Sequence, residues 1–349
     1  MSAGAVIRWF EEIALRDRAE VGGKGGSLGE LTRAGIAVPP GFVIRTQAFE
    51  QFIESLERAA PVRARVDALT AGDLPAIRAC ADELRARVTA AELPGPLADD
   101  LTRAYAQLIA RSGHADVAVR SSATTEDASD ASFAGLQDTY LWVGDSYRML
   151  ERVRACWASL YSLESISYRR DRGIAEKDVA MAVVVQSMVD SRSSGVMFTR
   201  SPTTGDRSVI TIEGAWGLGS AVVGGEVTPD RWVLGKITGE ISVRDISVKH
   251  IEHRRAQGGG VASIEVPAER QRVACVDDRE LEQLRQVARQ VERHYGCPQD
   301  IEWAIDARGS LMILQSRPET VWSSKDIAPA ARAASDPLSH VMSIFGGRR

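Results

Sequence analysis

The sequence is poor in cysteine, in aromatic residues and in long apolar runs. Its four cysteines, Cys80, Cys156, Cys275 and Cys297, lie far apart and none forms a C-x-x-C pair. That spacing argues against a zinc knuckle, a redox pair or a secreted disulfide framework, and it predicts buried thiols. No run of about 18 uncharged apolar residues occurs, and the first residues show no signal-peptide pattern, so a cytoplasmic location is expected.

The chain also lacks a large excess of either charge. Its formal net charge is −4 over 349 residues, which gives no general attraction to nucleic acid or to an anionic membrane. An anionic ligand would therefore need a local cluster of Lys and Arg. With 44% hydrophobic and 26% charged residues, the composition is that of a globular protein with room for about two domains.

The pattern of apolar residues predicts a mixed α/β (α+β) fold in two lobes. AFEQFIESL has helical spacing, DVAVRSS and VAMAVVVQSMV are typical of buried strands, and a long helical region is expected over roughly Tyr147–Arg172. From residue 193 onwards, β-branched runs alternate with glycines. We therefore expect an N-terminal lobe at 1–192, a sheet-rich lobe at 193–322 and a linker or docking tail at 323–349. In the second lobe, a capping box at Asp277 and Glu280 and a stop at Gly296 delimit a helix.

Glycines surround a single lysine in VGGKGGSLGEL, residues 21–31. The stretch fails the dinucleotide fingerprint because Leu28 stands where the last glycine is required, and it fails the P-loop pattern because Gly25 follows Lys24. Ser27 and Glu30 have the spacing of a capping box, which predicts a helix start with free N–H groups that favour an anion, with Lys24 adding charge. The alternative is a flexible connection with a solvated lysine.

A second polar stretch, VAVRSSATTEDASDASFAGLQDTY, begins as a strand that ends near Arg120 and closes on Thr139. Its hydroxyl and backbone N–H groups could cover phosphates. The alternative is a surface loop in which Arg120 forms an ordinary ion pair.

The segments DIEWAID and LMILQSRP alternate around ARGS and predict a hairpin. With a turn at 307–310, the expected pairs are Asp306 with Leu311, Ala304 with Ile313, and Glu302 with Gln315. Arg317 would lie on the same face as Gln315. A carboxylate and an amide oxygen suit Mg²⁺, and an arginine can bind phosphate in a fork. The alternative is a cross-strand pair of Glu302 and Arg317 at the surface.

Taken together, these blocks resemble the nucleotide-binding domain of the phosphoenolpyruvate synthase and pyruvate phosphate dikinase family, which includes the rifamycin phosphotransferases. The resemblance extends over about residues 22–317 and also includes VPPGFVI, SGVMFTRSP and GLGSAVVGGEVTPD. It implies a two-lobed ATP-grasp fold that binds ATP and Mg²⁺ between its lobes.

The resemblance also implies specific contacts at eight matching positions. These are Lys24 and Arg120 toward the phosphates, Gly135 and Thr139 in a covering loop, Gln186 near the nucleotide, and Glu302, Gln315 and Arg317 at the hairpin, with Glu302 and Gln315 as metal ligands. Lys24, Arg120 and Arg317 would carry the catalytic charge. One departure is Ser220, where the family usually has a glutamate. His250 and His253 have metal-like spacing but no third ligand nearby, and they are expected at the surface.

In the family, this domain transfers the β-phosphate of ATP to a histidine on a swivelling domain and releases AMP and Pi. None of the five histidines of this chain lies in a segment like that phosphocarrier motif. We therefore expect a split enzyme whose partner subunit carries the histidine, with the ATP-binding subunit of phenylphosphate synthase as the nearest parallel. The alternatives are half of a split phosphoenolpyruvate synthase or a non-catalytic ATP sensor, for which Ser220 is the main support.

Overall fold

A five-stranded antiparallel sheet organises the first half of the chain. The computed structural model describes residues 6–124 and 138–322, and within them this first sheet has the order β1-β2-β5-β3-β4. Its strands are β1 Ile7–Trp9, β2 Gly41–Ile44, β3 Val117–Ala123, β4 Thr139–Val143 and β5 Met181–Ser187. β3 and β5 are buried along their whole length, although β3 carries Arg120, Ser121 and Ser122 in its second half.

Helices pack against this sheet and supply most of the first core. They are α1 Arg18–Arg33, α2 Thr46–Glu57, α3 Arg63–Asp67, α4 Leu74–Ala90, α5 Gly95–Ser112, α6 Ser146–Ser159 and α7 Leu163–Arg172. α2 presents Phe49 and Phe52 to Trp157 of α6, with ring centroids 6.0 and 5.1 Å apart. The helical region predicted over Tyr147–Arg172 is confirmed. It is divided into α6 and α7, because the Ser162 side chain accepts a hydrogen bond from the Ser165 N–H and starts a new helix there.

A six-stranded antiparallel sheet organises the second half, in the order β13-β12-β6-β7-β8-β9. Its strands are β6 Ser191–Phe198, β7 Val209–Trp216, β8 Asp230–Gly235, β9 Ile241–Asp245, β12 Gln299–Asp306 and β13 Leu311–Pro318; β10 Ile251–Arg255 and β11 Val261–Glu265 form a separate ribbon. The helices here are α8 Ser220–Val223, α9 Ala268–Gln271 and α10 Asp278–Tyr295. The predicted capping box of α10, Asp277 with Glu280, and its Gly296 stop are confirmed.

The first and second sheets meet through a short connection and one shared helix. β5 ends at Ser187 and β6 begins at Ser191, so only three residues join them. Although α1 belongs to the first half, its Leu31 packs into the second core, and the Ser27 hydroxyl donates to the Ser316 carbonyl at 2.6 Å. The predicted mixed helix and sheet content is confirmed, and the two sheets facing each other agree with the two-lobed ATP-grasp fold.

Candidate active site

Arg120 lies at the meeting point of the two sheets. It projects from β3 of the first sheet, is 8% exposed, and its Nη1–H donates to the Leu314 carbonyl of β13 at 2.9 Å. Its Nη2–H donates to Glu302 Oε2 at 3.2 Å and to Gln315 Oε1. Three of the residues predicted from sequence therefore form one connected group. The Arg120 Nε–H is buried without a partner among the described residues, which leaves a donor for an anion.

The glycine-rich stretch is not the loop and capped helix start that its sequence predicts. Helix α1 begins at Arg18 and is interrupted at Gly22, whose φ of 70° and ψ of 176° are not helical. The predicted capping box at Ser27 and Glu30 is wrong: Ser27 lies inside the helix and binds Ser316 instead, and the Glu30 carboxylate accepts a hydrogen bond from the Leu15 N–H at 3.3 Å. The helical register is set by packing against β13, which local sequence cannot reveal.

Lys24 lies two residues after the interruption at Gly22 and points toward the strand that carries Arg120. It is 6% exposed, and its ammonium donates to the Ser121 carbonyl at 3.0 Å. The Ser122 hydroxyl ties the same strand to α1, since it donates to the Val21 carbonyl at 2.9 Å and accepts from the Gly25 N–H at 3.2 Å. The solvated lysine of the alternative interpretation is therefore wrong: Lys24 is a buried cation held next to Arg120.

The hairpin of β12 and β13 places Glu302 opposite Gln315, as predicted. The rest of the predicted register is wrong, because a bulge between Glu302 and Trp303 shifts the later pairs by one residue. The observed pairs are Ala304 with Met312 and Ile305 with Leu311. The bulge leaves Trp303 fully buried, which gives the shift a packing reason.

Arg317 does not join the group around Arg120 in this structure. Its side chain is 60% exposed, and its Nε–H donates to Asp300 Oδ2 across the hairpin at 3.3 Å. The alternative considered from sequence was a surface pair between Glu302 and Arg317, but the partner of Arg317 is Asp300, and Glu302 pairs with Arg120. Arg317 lies two residues from Gln315 along β13.

Asp300 is a further candidate residue, on the same strand as Glu302, that the sequence analysis did not single out. Its Oδ1 is buried without a hydrogen-bond partner among the described residues. Burial raises the pKa of its carboxyl to about 6, helped by the nearby Glu319 carboxylate and opposed by Arg317. A signal was available in the sequence: Asp300 precedes Glu302 by two residues in a strand, and such residues share a face.

A cavity of about 220 Å³ lies between the first and second sheets. Polar residues in its walls include Arg120, Thr139, Gln186, Ser220 and Glu302. The apolar part is formed by Ala118, Leu141, Met188, Val189, Leu218, Val223, Trp303 and Leu314. A largely apolar cleft lined by a few polar groups is typical of a small-molecule site.

The structure positions the predicted residues around this cavity to different degrees. Thr139 is paired with Arg120 across β3 and β4, and the Gln186 amide is oriented by donation to the Pro39 carbonyl at 3.2 Å. Gly135 and the rest of the predicted covering loop lie outside the described residues. Lys24 and Arg317 are absent from the cavity walls in the described part of the chain. Lys24 binds the carbonyl of Ser121, the residue after Arg120, and Arg317 lies two residues from Gln315.

His253 is the largest correction to the predicted site. It was expected at the surface with His250, but only His250 is exposed. His253 is 7% exposed, and its Nδ1 lies 2.8 Å from Ser220 Oγ. Ser220 and His253 are 33 residues apart in the sequence, so no local pattern indicates this contact, which accompanies the bridge between Gly217 and His253.

Comparison with known proteins gives this arrangement a family. The family described as "Pyruvate phosphate dikinase, AMP/ATP-binding domain" matches residues 18–336, which is most of the chain. The chain belongs to this family. The resemblance stated from its sequence blocks is thereby confirmed.

Individual relatives of the family are similar to nearly the whole chain. A probable phosphoenolpyruvate synthase of Methanothermobacter thermautotrophicus is 41% identical over 90% of this chain and 46% of its own length. A rifampicin phosphotransferase of a Streptomyces species is 41% identical over 91% of the chain and 36% of its own. The phosphoenolpyruvate synthase of Pyrococcus furiosus is 36% identical over 93% and 45%. The chain thus spans less than half the length of each of these relatives.

The oxygen atoms at the hairpin fit the magnesium ion that the family implies. Glu302 and Gln315 face each other, and Asp300 adds the unpartnered buried oxygen. In nucleotide sites Mg²⁺ is usually held by one or two carboxylates together with phosphate oxygens. Within residues 6–124 and 138–322 no three His, Cys, Asp or Glu side chains could hold a metal by themselves, so phosphate oxygens would have to complete the coordination shell.

None of the described helices is both long and apolar enough to span a membrane.

Proposed function

We propose that this chain is the ATP-binding part of a dikinase-type phosphotransferase. It binds ATP in the cavity between the two sheets and transfers the β-phosphoryl group to a histidine of a partner subunit, with release of AMP and Pi. The observation that carries the proposal is the contact of Arg120 with Glu302 and Gln315, which assembles a cation, a carboxylate and an amide from both sheets. The family match to an ATP-binding domain supports it.

Each residue of the group has a distinct role in this proposal. Arg120 offers its fork to the phosphates, Lys24 adds a buried positive charge beside it, and Arg317 turns from Asp300 to the transferring group. Glu302, Gln315 and Asp300 hold the magnesium ion, which neutralises phosphate charge when bound. The contribution of this chain is then positioning and charge neutralisation, as expected for phosphoryl transfer, and the nucleophile is the imidazole of the partner.

The acceptor histidine is assigned to a separate swivelling domain because the match is confined to the ATP-binding family. The histidines inside the fold are already engaged: His253 with Ser220, and His294 with Glu30 at 2.7 Å. For the final acceptor we retain phenol, by analogy with the split phenylphosphate synthase. Pyruvate is the second candidate, favoured by the names of the phosphoenolpyruvate synthase relatives.

Position-specific labelling tests the proposal. The chain is mixed with Mg²⁺, labelled ATP and the co-encoded protein that carries a swivelling histidine domain. Label from β-[³²P]ATP is expected on the partner, and label from γ-[³²P]ATP is expected in Pi. Lys24→Ala and Arg317→Ala should abolish transfer, whereas Arg308→Ala, which removes an exposed arginine at the turn of the same hairpin, should leave it intact.

Label arriving on the partner from the γ position would contradict dikinase chemistry. ATP binding without AMP formation under any pairing would instead favour the non-catalytic sensor. Supplying phenol or pyruvate to the labelled partner identifies the final acceptor.

A further inference from the structure

Ser220, His253 and Glu226 form a connected trio beside the proposed nucleotide site. Ser220 Oγ lies 2.8 Å from His253 Nδ1, and Glu226 Oε2 lies 3.3 Å from Nε2. An ionised carboxylate can only accept hydrogen bonds, so Nε2 of a neutral His253 must carry the proton. The lone pair of Nδ1 then accepts from the Ser220 hydroxyl. This is the arrangement of a nucleophile, its base and a group that orients the base.

The trio stands where two cavities meet. Ser220 lines the cavity that also contains Arg120 and Glu302, and it lines a second cavity of about 680 Å³ together with His253 and Glu226. The Ser220 hydroxyl is therefore accessible from the nucleotide side, while its histidine is 7% exposed. Such burial keeps the base fixed against the hydroxyl.

The second cavity offers donors suited to an anionic group. Arg148 and Arg152 of α6 line it, as does Trp142. The Trp142 indole N–H is buried without a partner among the described residues, and Trp142 has a φ of 58°, which is rare for any residue other than glycine. A strained residue with an unpartnered donor at a cavity wall indicates a functional role. Two guanidinium groups and an indole N–H would together hold a phosphoryl group on Ser220.

We propose that Ser220 is a nucleophile that accepts the γ-phosphoryl group of ATP bound in the cleft, so that the chain phosphorylates itself. Ser220 Oγ attacks the γ-phosphorus while its proton passes to His253 Nδ1. The new bond joins Oγ to phosphorus, the bond from the γ-phosphorus to the β,γ-bridging oxygen breaks, and ADP leaves. The Glu226 carboxylate stabilises the imidazolium until its extra proton is released to solvent.

This self-phosphorylation rests on the ATP binding proposed above but differs from transfer to the partner histidine. It uses the γ group and not the β group, it needs no partner, and it yields ADP. Its product also differs chemically, since phosphoserine survives acid and phosphohistidine does not. The two reactions can therefore be separated in one preparation.

The experiment incubates the full chain alone with Mg²⁺ and γ-[³²P]ATP, quenches in acid and maps the label by peptide mass spectrometry. Acid-stable label on Ser220 is expected, and Ser220→Ala should lose it. His253→Gln should slow labelling by about 100-fold, since it removes the general base. Ser220→Thr should remain labelled, which controls for folding. Ser263→Ala is the matched control, because Ser263 is paired with His253 across β10 and β11 and the side chain of His253 instead contacts Ser220 and Glu226.

ATP binding to the same variants is measured in parallel by calorimetry. If the chain does not bind ATP, the proposed function fails together with this proposal. If ATP binds but no acid-stable label forms, the self-phosphorylation alone is overturned. Label on a residue other than Ser220 also overturns the self-phosphorylation proposal. So does a labelling rate of His253→Gln equal to that of the wild type.

Discussion

Replacing Gly22 with alanine tests the close contact between helix α1 and strand β3. A Cβ on Gly22 would lie 2.2 Å from the Ser122 carbonyl oxygen and 2.3 Å from Ser122 Oγ. Neither atom can swing away freely, because one is backbone and the other bridges to Val21 and Gly25. The backbone at Gly22 also has a φ of 70° and a ψ of 176°, a region almost restricted to glycine.

The expected cost combines both effects. The backbone conformation alone costs about 1–3 kcal/mol for a residue with a side chain. Displacing Ser122 weakens its two hydrogen bonds to α1, each contributing about 1 kcal/mol. We therefore expect Gly22→Ala to lower the free energy of unfolding by about 3–5 kcal/mol, a large part of the roughly 5–15 kcal/mol typical of a folded protein.

Gly35→Ala provides the matched control. Gly35 has a φ of 71°, but a Cβ there would meet no atom within 4 Å, so only the backbone cost of about 1–2 kcal/mol applies. Urea unfolding of both variants and of the wild type gives the two differences. ATP titration should show weaker binding only for Gly22→Ala, since only that change moves the strand that carries Arg120.

Equal destabilisation by the two substitutions would refute the reasoning. It would mean that the contact between Gly22 and Ser122 is looser than described, and that α1 does not fix the position of β3. An ATP affinity of Gly22→Ala equal to that of the wild type would likewise show that the contact of α1 with β3 does not influence nucleotide binding.

Further predictions concern charge. Lys249→Met should lower the free energy of unfolding, measured by urea unfolding, by about 3–5 kcal/mol, because it leaves Asp230 buried without its cation. Adding Asp230→Asn should recover much of the loss. A Lys249→Met variant as stable as the wild type would contradict this prediction. The folded-state pKa of Asp300 is raised to about 6 from 3.8. The free energy of unfolding of the wild type without metal or nucleotide, compared with that of Asp300→Asn, should therefore fall as pH rises from about 4 to about 6 and stay lower above about pH 6. A difference between the two proteins that is constant over this interval would disprove the prediction. Arg120→Lys keeps the positive charge but loses the forked guanidinium, so calorimetry should show an ATP affinity about 10- to 100-fold below that of the wild type. The control Arg308→Lys should bind ATP as the wild type does. Equal ATP affinities of Arg120→Lys and the wild type would show that Arg120 does not bind the nucleotide.

Sequence predicted the parts of the site that repeat a local pattern. The pairing of Glu302 with Gln315 follows from strand alternation around a short turn, and it was confirmed. The later register was wrong because the bulge beside Trp303 is set by packing of that ring in the second core. The local sequence pattern does not contain information on such a tertiary contact.

The residues that sequence misjudged depend on contacts between distant segments. The sequence predicts Ser27 as a helix cap, yet its hydroxyl donates a hydrogen bond to the carbonyl of Ser316, 289 residues later in the chain. His253 was expected in solvent, yet the fold brings Ser220 and Glu226 to its two ring nitrogens. Ser27 therefore binds a residue from the other half of the chain, and His253 binds residues that lie 33 and 27 positions earlier in the sequence.

The sharing of α1 between the two cores has a consequence for how the protein is made. Leu31 and Ile36 pack with residues such as Ile212 and Ile313, which are synthesised much later, and the Ile313 N–H donates to the Ala37 carbonyl at 2.8 Å. Contacts so distant in sequence slow folding, because a long loop must close before they form. The N-terminal half released from the ribosome therefore keeps an exposed apolar helix end until the final hairpin emerges, and cutting the chain between Ser187 and Ser191 should yield two fragments that are stable only together.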